Sequence, residues 1–152
     1  SDYFKRIGCV YYVKYDEDEP ALQLIQDGIA YPNGITLSPD GQFIYVAEFN
    51  TNSLVCIPSA AYTLGRATPY VFGHGPDGIT VDADGNLYVA HLEAKEVLVF
   101  DRDGFQIERI SAPEDADIFV DNLCIHDGYL YICEFGSSNI YRIAVTAETG
   151  EK

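Results

Sequence analysis

Three polar residues that can hold a metal ion recur at a constant spacing in this sequence of 152 residues. Asn33, Asp77 and Asp121 lie 44 residues apart along the chain, and each precedes a short apolar segment. Carboxylate and amide oxygens are the ligands that Ca²⁺ and Mg²⁺ prefer in proteins. If the fold brings equivalent positions of a repeat together, these side chains converge on one divalent cation. Ca²⁺ is the first candidate for that cation, with Mg²⁺ and Zn²⁺ also open.

A second set of polar residues, Glu48, His91 and Glu134, recurs every 43 residues where the same apolar segments end. In an antiparallel hairpin the end of the second strand lies beside the start of the first, so each should neighbour one member of the first set. Glu48 and Glu134 are then further metal-ligand candidates, and His91 could act as a general base. In the alternative interpretation, Asn33 and Asp77 serve only as turn residues before glycine, and the second set is structural.

The segments that carry these residues are repeats built from short strands. They read YPNGITLSPDGQFIYVAE from Tyr31, GPDGITVDADGNLYVAH from Gly75, and VDNLCIHDGYLYICE from Val120. A strand-rich repeat of this length indicates a β-propeller with one blade of four antiparallel strands per repeat. Asp-Gly pairs at Asp84 and Asp103 favour tight hairpin turns within the second repeat.

The predicted strands divide the chain into one partial propeller over residues 1–152. Residues 1–28 would form two outer strands of a blade, and residues 29–73 a full blade with its fourth strand at residues 70–72. Residues 74–114 would form a second full blade, and residues 115–152 a blade without its outer strand. The expected fold is therefore all-β, with about three blades, or half of a six-bladed propeller.

Three blades cannot close a ring, because an open arc leaves strand edges and apolar blade faces in water. Two explanations stay open at this point. Either the chain is a piece of a longer one, or two copies close the ring as a homodimer.

Charge and composition restrict the expected partners. The formal net charge is −15, which argues against nucleic acid and against an anionic membrane surface, since both bind clustered Lys and Arg. The sequence shows neither a signal peptide nor an apolar stretch of membrane-spanning length, so a cytoplasmic location is expected. The cysteines form no close metal-binding pair and are expected to be free and buried within strands. They are Cys9, Cys56, Cys124 and Cys133.

The first two repeats, in this order and spacing, resemble successive blades of the regucalcin/gluconolactonase family of six-bladed propellers. The resemblance covers the C-terminal half of a family member. It implies one divalent metal in the central channel, with Asn33 and Asp77 among its ligands. A further ligand of that family, a Glu from the first blade, has no corresponding segment here. The VDN of residues 120–122 is similar to an Asp-Asn pair near the metal in the paraoxonase branch, which supports Asp121 and Asn122.

The activity that the resemblance implies is metal-assisted hydrolysis of a small-molecule lactone or ester. The cation would polarise the lactone carbonyl and lower the pKa of a bound water, while Asp77 or His91 takes the proton. The alternative function is a noncatalytic propeller scaffold that binds a protein or ligand on its rim, because propellers support many functions.

Overall fold

The computed structural model describes residues 5–16, 18–112, 119–137 and 139–145, which form thirteen strands in four antiparallel sheets. In chain order these sheets hold two, four, four and three strands, as the sequence predicted. The strands are β1 Gly8–Tyr12, β2 Gln23–Ile29, β3 Pro32–Leu37, β4 Phe43–Glu48, β5 Ser53–Pro58, β6 Gly65–Arg66, β7 Pro76–Val81, β8 Leu87–His91, β9 Glu96–Phe100, β10 Gln106–Ser111, β11 Val120–His126, β12 Tyr129–Glu134 and β13 Ile140–Ala144. The described residues include no helix that is long and apolar enough to cross a membrane.

Within each sheet the strands follow one another as hairpins, so that chain order is also spatial order. The tight turns lie where Asp and Gly predict them. Gly41 and Gly85 have φ angles of 68° and 89°, a left-handed conformation that glycine adopts without steric cost. At the first of these turns the Asp40 carboxylate accepts hydrogen bonds from the Ser38 hydroxyl and the Gln42 amide. These turns lie at the end of the inner hairpins opposite to the candidate metal ligands.

One predicted strand is wrong. The fourth strand of the first full blade is β6, and residues 70–72 have irregular backbone instead. Tyr70 and Phe72 pack edge-on to each other and to Phe100, with ring centroids 5.0 to 5.9 Å apart. This segment resembles a strand in sequence because its aromatic residues fill the core between two sheets, where burial does not require pairing in a sheet.

The alternating side chains of each strand give the sheets two apolar faces, and neighbouring sheets pack face to face. Tyr45 and Ala47 of β4 pack with Ile79 of β7 in one core cluster. At the next joint between sheets, Tyr88 of β8 packs with Leu123 of β11. The sheet formed by β1 and β2 covers the other face of β4 and β5.

The packing places the first strand of each larger sheet on the inside. Strand β7 lies between β3 and β11 and contacts both. The starts of these three inner strands therefore meet at one end of the molecule, where the first set of polar residues lies.

Candidate functional site

A hollow of about 270 Å³ opens between the starts of the inner strands β3, β7 and β11. It is lined by Asn33, Gly34, Ile35, Asp77, Gly78, Ile79, Asp121 and Asn122. The structure therefore brings together the three residues that recur every 44 positions, and it adds the amide of Asn122. Oxygen atoms from three separate strands share this space.

Each inner strand has a bulge at its polar residue. Pro32 pairs with Glu48 and Ile35 with Val46, so β3 has one residue more than β4 over this stretch. The same shift occurs in β7 and in β11. Because a bulge releases a residue from the ladder and redirects its side chain, it is a common device beside functional sites. The bulge was not expected from the sequence, and it makes Pro32, not Asn33, the cross-strand partner of Glu48.

Glycines beside the polar residues allow the inner strands to approach each other closely. A Cβ atom on Gly78 would lie 2.6 Å from the carbonyl oxygen of Asp121 and from Cα of Asn122. A Cβ atom on Gly34 would overlap the carbonyl oxygen of Asp77 and lie 2.7 Å from the amide of Ile79. Gly34 and Gly78 are not among the glycines with positive φ, so the close approach of the next strand, not turn geometry, requires them.

Asp77 and Asp121 form a carboxyl pair at the centre of the hollow. Asp77 is only 9% exposed. Its burial raises its pKa to about 7, and the neighbouring charge of Asp121 and a hydrogen bond between the two side chains act in the same direction. Two carboxyl groups in such contact are favourable when they share a proton or when a cation lies between them.

The residues of the hollow fit a hard cation, and they supply part of its coordination. Two carboxylates and two amide groups provide the oxygen donors that Ca²⁺ and Mg²⁺ require. Ca²⁺ takes about six to eight oxygen ligands, so these four groups supply only part of its coordination. The described part of the chain contains no group of three or more His, Cys, Asp or Glu side chains placed to hold a metal ion. The remaining ligands would come from water, substrate or additional blades.

Glu48 lies outside the lining of the hollow and is buried, with 2% of its side chain exposed. Its Oε1 atom accepts hydrogen bonds from the amide of Ala30 at 2.8 Å and from the Arg6 guanidinium at 2.9 Å. Its other oxygen accepts hydrogen bonds from Thr51 in the loop between β4 and β5 and from Ser53, the first residue of β5. In this structure the carboxylate therefore anchors that loop to the start of β3.

His91 and Glu134 also lie outside the lining, and both are engaged by other residues. Nε2 of His91 accepts a hydrogen bond from the amide of His74 at 3.3 Å, so Nδ1 carries the proton and donates to Glu96 at 2.9 Å. Glu134 accepts hydrogen bonds from the amides of Ser137 and Asn139. Roles for Glu48, His91 and Glu134 in metal binding or catalysis stay predictions.

The cysteines are free, as expected, but two of them are not buried. Cys9 and Cys56 are half-buried, whereas Cys124 and Cys133 are exposed. The prediction of burial is wrong for the latter pair because they lie on a face of the last sheet that no further sheet covers in the described structure.

Comparison with known proteins identifies relatives of this architecture. Residues 2–133 match the family model of the SMP-30/Gluconolactonase/LRE-like region. The lactonase drp35 of Staphylococcus epidermidis is 40% identical over 114 residues, which are 70% of this chain and 34% of that protein. The lactonase drp35 of Staphylococcus haemolyticus is 39% identical over 113 residues, again 34% of its length.

Two solved structures are similar in fold. Regucalcin of Agrobacterium tumefaciens, described as a calcium-binding protein, has a TM-score of 0.70 at 23% identity and matches 85% of this chain. A gluconolactonase of Xanthomonas campestris has a TM-score of 0.73 at 25% identity and matches 91% of this chain. The matched parts are 45% and 44% of those proteins, so the chain spans about a third to a half of its relatives. The predicted all-β propeller fold is confirmed, and the chain belongs to the SMP-30/gluconolactonase/LRE-like family.

Proposed function

We propose that this chain contributes Asn33, Asp77 and Asp121 to the divalent cation centre of a propeller that hydrolyses lactones or related esters. The observation that supports this best is the carboxyl contact of Asp77 and Asp121 inside a hollow built by three equivalent bulges. Such a contact costs free energy in the ionised state, and a bound cation offsets that cost. Ca²⁺ is the preferred candidate because every side chain in the lining that can bind a metal does so through oxygen.

In this proposal the residues of the hollow have different chemical roles. A bound divalent cation supplies polarisation of the lactone carbonyl and a lower pKa for its bound water. Asp77 and Asp121 provide the negative charge that holds the cation, while Asn33 and Asn122 add neutral oxygens. Asp77, the more buried of the two carboxylates, is also the first candidate to take a proton from the attacking water.

His91 is the second candidate for a base. Its Nε2 atom would first have to lose its hydrogen bond to the amide of His74. We therefore expect His91 to contribute less to proton transfer than Asp77 does.

Relatives named lactonase and gluconolactonase favour a lactone as the small-molecule substrate. Because the chain spans less than half of those proteins, turnover requires additional blades around the hollow. We place this partial propeller, with the blade boundaries predicted above, in one half of the ring. A second copy of the chain would supply three more inner strands and complete the ring as a homodimer. A cytoplasmic location stays a prediction.

Calorimetric titration with Ca²⁺, Mg²⁺ and Zn²⁺ tests the cation centre. The wild-type chain should bind one of these ions, and Asp77→Asn should weaken binding at least tenfold. Asp84→Asn is the matched control, because Asp84 is an exposed carboxylate at the opposite end of the same β7–β8 hairpin. Equal affinities in the wild type and Asp77→Asn would overturn the assignment. Absence of both cation binding and lactone turnover would favour a noncatalytic scaffold.

A further inference from the structure

An array of side-chain hydrogen bonds crosses the middle sheet, which is formed by β7 to β10. The Arg109 guanidinium on the outer strand β10 donates to Oε2 of Glu96 on β9 at 2.8 Å. Oε1 of Glu96 accepts a hydrogen bond from Nδ1 of His91 on β8 at 2.9 Å. Nε2 of His91 accepts from the backbone amide of His74, two residues before the inner strand β7. The array therefore connects the outer edge of the sheet to the segment that leads into Asp77.

The centre of this array is closed to water. The side chains of His91 and Glu96 are each 6% exposed, whereas that of Arg109 is 51% exposed. The buried ring of Phe72 packs edge-on against the imidazole of His91, with ring centroids 5.3 Å apart. Because a buried polar group without a partner costs free energy, each nitrogen and oxygen of this pair is held to the partner it has here.

The first four-stranded sheet makes the equivalent connection with a carboxylate alone. Glu48 ends β4 as His91 ends β8, and Oε1 of Glu48 accepts a hydrogen bond from the backbone amide of Ala30. Ala30 and His74 lie 44 residues apart, and each precedes a cation-ligand candidate by three residues. An ionised carboxylate can only accept, whereas a neutral imidazole accepts at Nε2 only when its proton is on Nδ1. In the middle sheet the connection therefore depends on the tautomer of the histidine.

The carboxylate of Glu96 sets that tautomer. It accepts on both oxygens, one facing His91 and the other facing Arg109. A carboxamide at the same position accepts on its oxygen only and donates from its nitrogen. Its oxygen would face the guanidinium and its NH₂ group would face Nδ1, which moves the histidine proton to Nε2. The imidazole could then no longer accept the amide of His74.

The link from His74 to Asp77 is short and stiff. Only Gly75 and Pro76 lie between them, and the proline ring fixes one of the backbone angles. A Cβ atom on Gly75 would lie 2.5 Å from the ring of Phe49, so this residue is packed closely against the preceding sheet. Because little backbone freedom remains, a shift of the His74 amide would also move Asp77.

We propose that Glu96 and Arg109 are positioning residues that act through His91. They hold the start of β7 in the position from which the Asp77 carboxylate reaches the hollow. This inference rests on the proposed function in that it takes Asp77 as a cation ligand. The tautomer and the hydrogen bond to the His74 amide can be measured without any cation.

Glu96→Gln tests the array, and Glu93→Gln is its matched control. Glu93 lies three residues earlier, is 53% exposed, and contacts only the exposed side chain of His74. In ¹⁵N NMR above the usual titration range of histidine, the wild-type His91 should carry its proton on Nδ1. Glu96→Gln should move the proton to Nε2 and speed hydrogen exchange of the His74 amide about tenfold. Glu93→Gln should change neither.

A second substitution separates positioning from a loss of packing. When Arg109→Met is added to Glu96→Gln, the glutamine oxygen has no guanidinium to face and can accept from Nδ1 of His91. The double variant should therefore regain the wild-type tautomer and the slow exchange of the His74 amide. Lack of this rescue would overturn the proposal, as would the wild-type tautomer in Glu96→Gln alone. If Glu96→Gln does not fold, a proton on Nε2 in the wild-type chain would be the decisive contrary result.

Calorimetric Ca²⁺ titration connects the array to the cation centre. Glu96→Gln should weaken Ca²⁺ binding about threefold to tenfold, as expected for one neutral hydrogen bond, and Arg109→Met should restore it. Glu93→Gln removes the same charge from the same connection and should leave the affinity unchanged. Unchanged affinity in Glu96→Gln despite an altered tautomer would refute the positioning role. Absence of Ca²⁺ binding to the wild-type chain would instead refute the cation centre, and the NMR results would still decide whether Glu96 holds the start of β7.

Discussion

The inner strands β3 and β7 carry nearly the same sequence, Pro-Asn-Gly-Ile-Thr and Pro-Asp-Gly-Ile-Thr, but they lie in different surroundings. Asp77 is buried, whereas Asn33 is exposed, and Ile79 is buried, whereas Ile35 is exposed. Both strands have the same bulge and the same close-packed glycine. They differ in their neighbours: among the described strands, β7 has an inner strand on each side, whereas β3 has one on its β7 side alone.

This difference shows that the burial of a site residue here depends on an inner strand on each side of it. The raised pKa of Asp77 comes from its burial and from Asp121 on β11. Asn33 has the corresponding position but the opposite exposure. A blade added before β3 would bury Asn33 and Ile35 in the same way.

The largest expected effect is on packing. Ile79→Ala should lower the free energy of unfolding by about 3 kcal/mol, because it leaves a cavity in a buried cluster. Ile35→Ala, measured at a concentration where the chain is monomeric, should change it by less than about 0.5 kcal/mol. Urea denaturation compares the two variants. Equal losses would show that Ile35 is already covered, and a gap that narrows as concentration rises would report its burial in the dimer.

The next largest effect concerns the close approach of the inner strands. Gly78→Ala should destabilise the fold by about 2 kcal/mol, because the new methyl group meets backbone atoms that cannot move independently. Gly73→Ala is the control, since a Cβ atom there meets nothing within 4 Å and the backbone φ is not positive. It should leave the stability unchanged or raise it by about 0.5 kcal/mol. Similar melting temperatures for the two variants would contradict the close packing of β7 on β11.

A smaller effect on stability is expected when the carboxyl pair of Asp77 and Asp121 is removed from the cation-free chain. Because the folded-state pKa of Asp77 is raised to about 7, folding favours the protonated form, and stability should fall as the pH rises from about 4 to 7. In the presence of a chelator, Asp77→Asn should flatten this slope and stabilise the chain by about 1 kcal/mol at pH 8, since the partly solvated pair is screened. Asp84→Asn should keep the wild-type slope. A wild-type stability that is independent of pH over this range would contradict the pair.

The smallest effect is expected at the third repeat, where Asn122 takes the position of Gly34 and Gly78. Strand β7 packs against one side of this position, and no described inner strand packs against the other side. Glycine is therefore not required there, and the Asn122 side chain accepts a hydrogen bond from the Leu123 amide. Asn122→Gly should lower the stability by about 0.5 to 1 kcal/mol through backbone entropy and the lost hydrogen bond. Thermal unfolding provides the measurement. A stabilising substitution would mean that Asn122 is crowded by another strand.

The repeat made much of the fold predictable from the sequence. A constant spacing and alternating apolar residues predicted the strand count of every sheet, and equivalence between repeats predicted that Asn33, Asp77 and Asp121 meet. The failures all involve neighbours in space that a sequence does not display. Residues 70–72 fill a core between sheets without forming a strand, and Cys133 lies on a sheet face that no described residue covers.

The second polar set is a further example, because its cross-strand partners also depend on a neighbouring strand. Glu48 and Glu134 were predicted to join the metal ligands, and His91 to act beside them as a base, because strand ends pair in a hairpin; these roles stay predictions. The bulge shifts that pairing by one residue. In this structure the side chains instead accept hydrogen bonds from nearby amides and hydroxyls. A bulge depends on how closely the next strand approaches, and glycine after Asn33 and Asp77 was the available signal for it.

The most direct test is a Ca²⁺ titration of the isotopically labelled chain followed by NMR at each backbone amide. We predict that the largest shifts occur at Gly34, Gly78 and Asn122, beside the oxygens of the hollow. Asp77→Asn should abolish these shifts, whereas Asp84→Asn should leave them intact. Shifts centred on the loops anchored by Glu48 and Glu134, or no shifts at millimolar Ca²⁺, would contradict a cation centre at the starts of the inner strands.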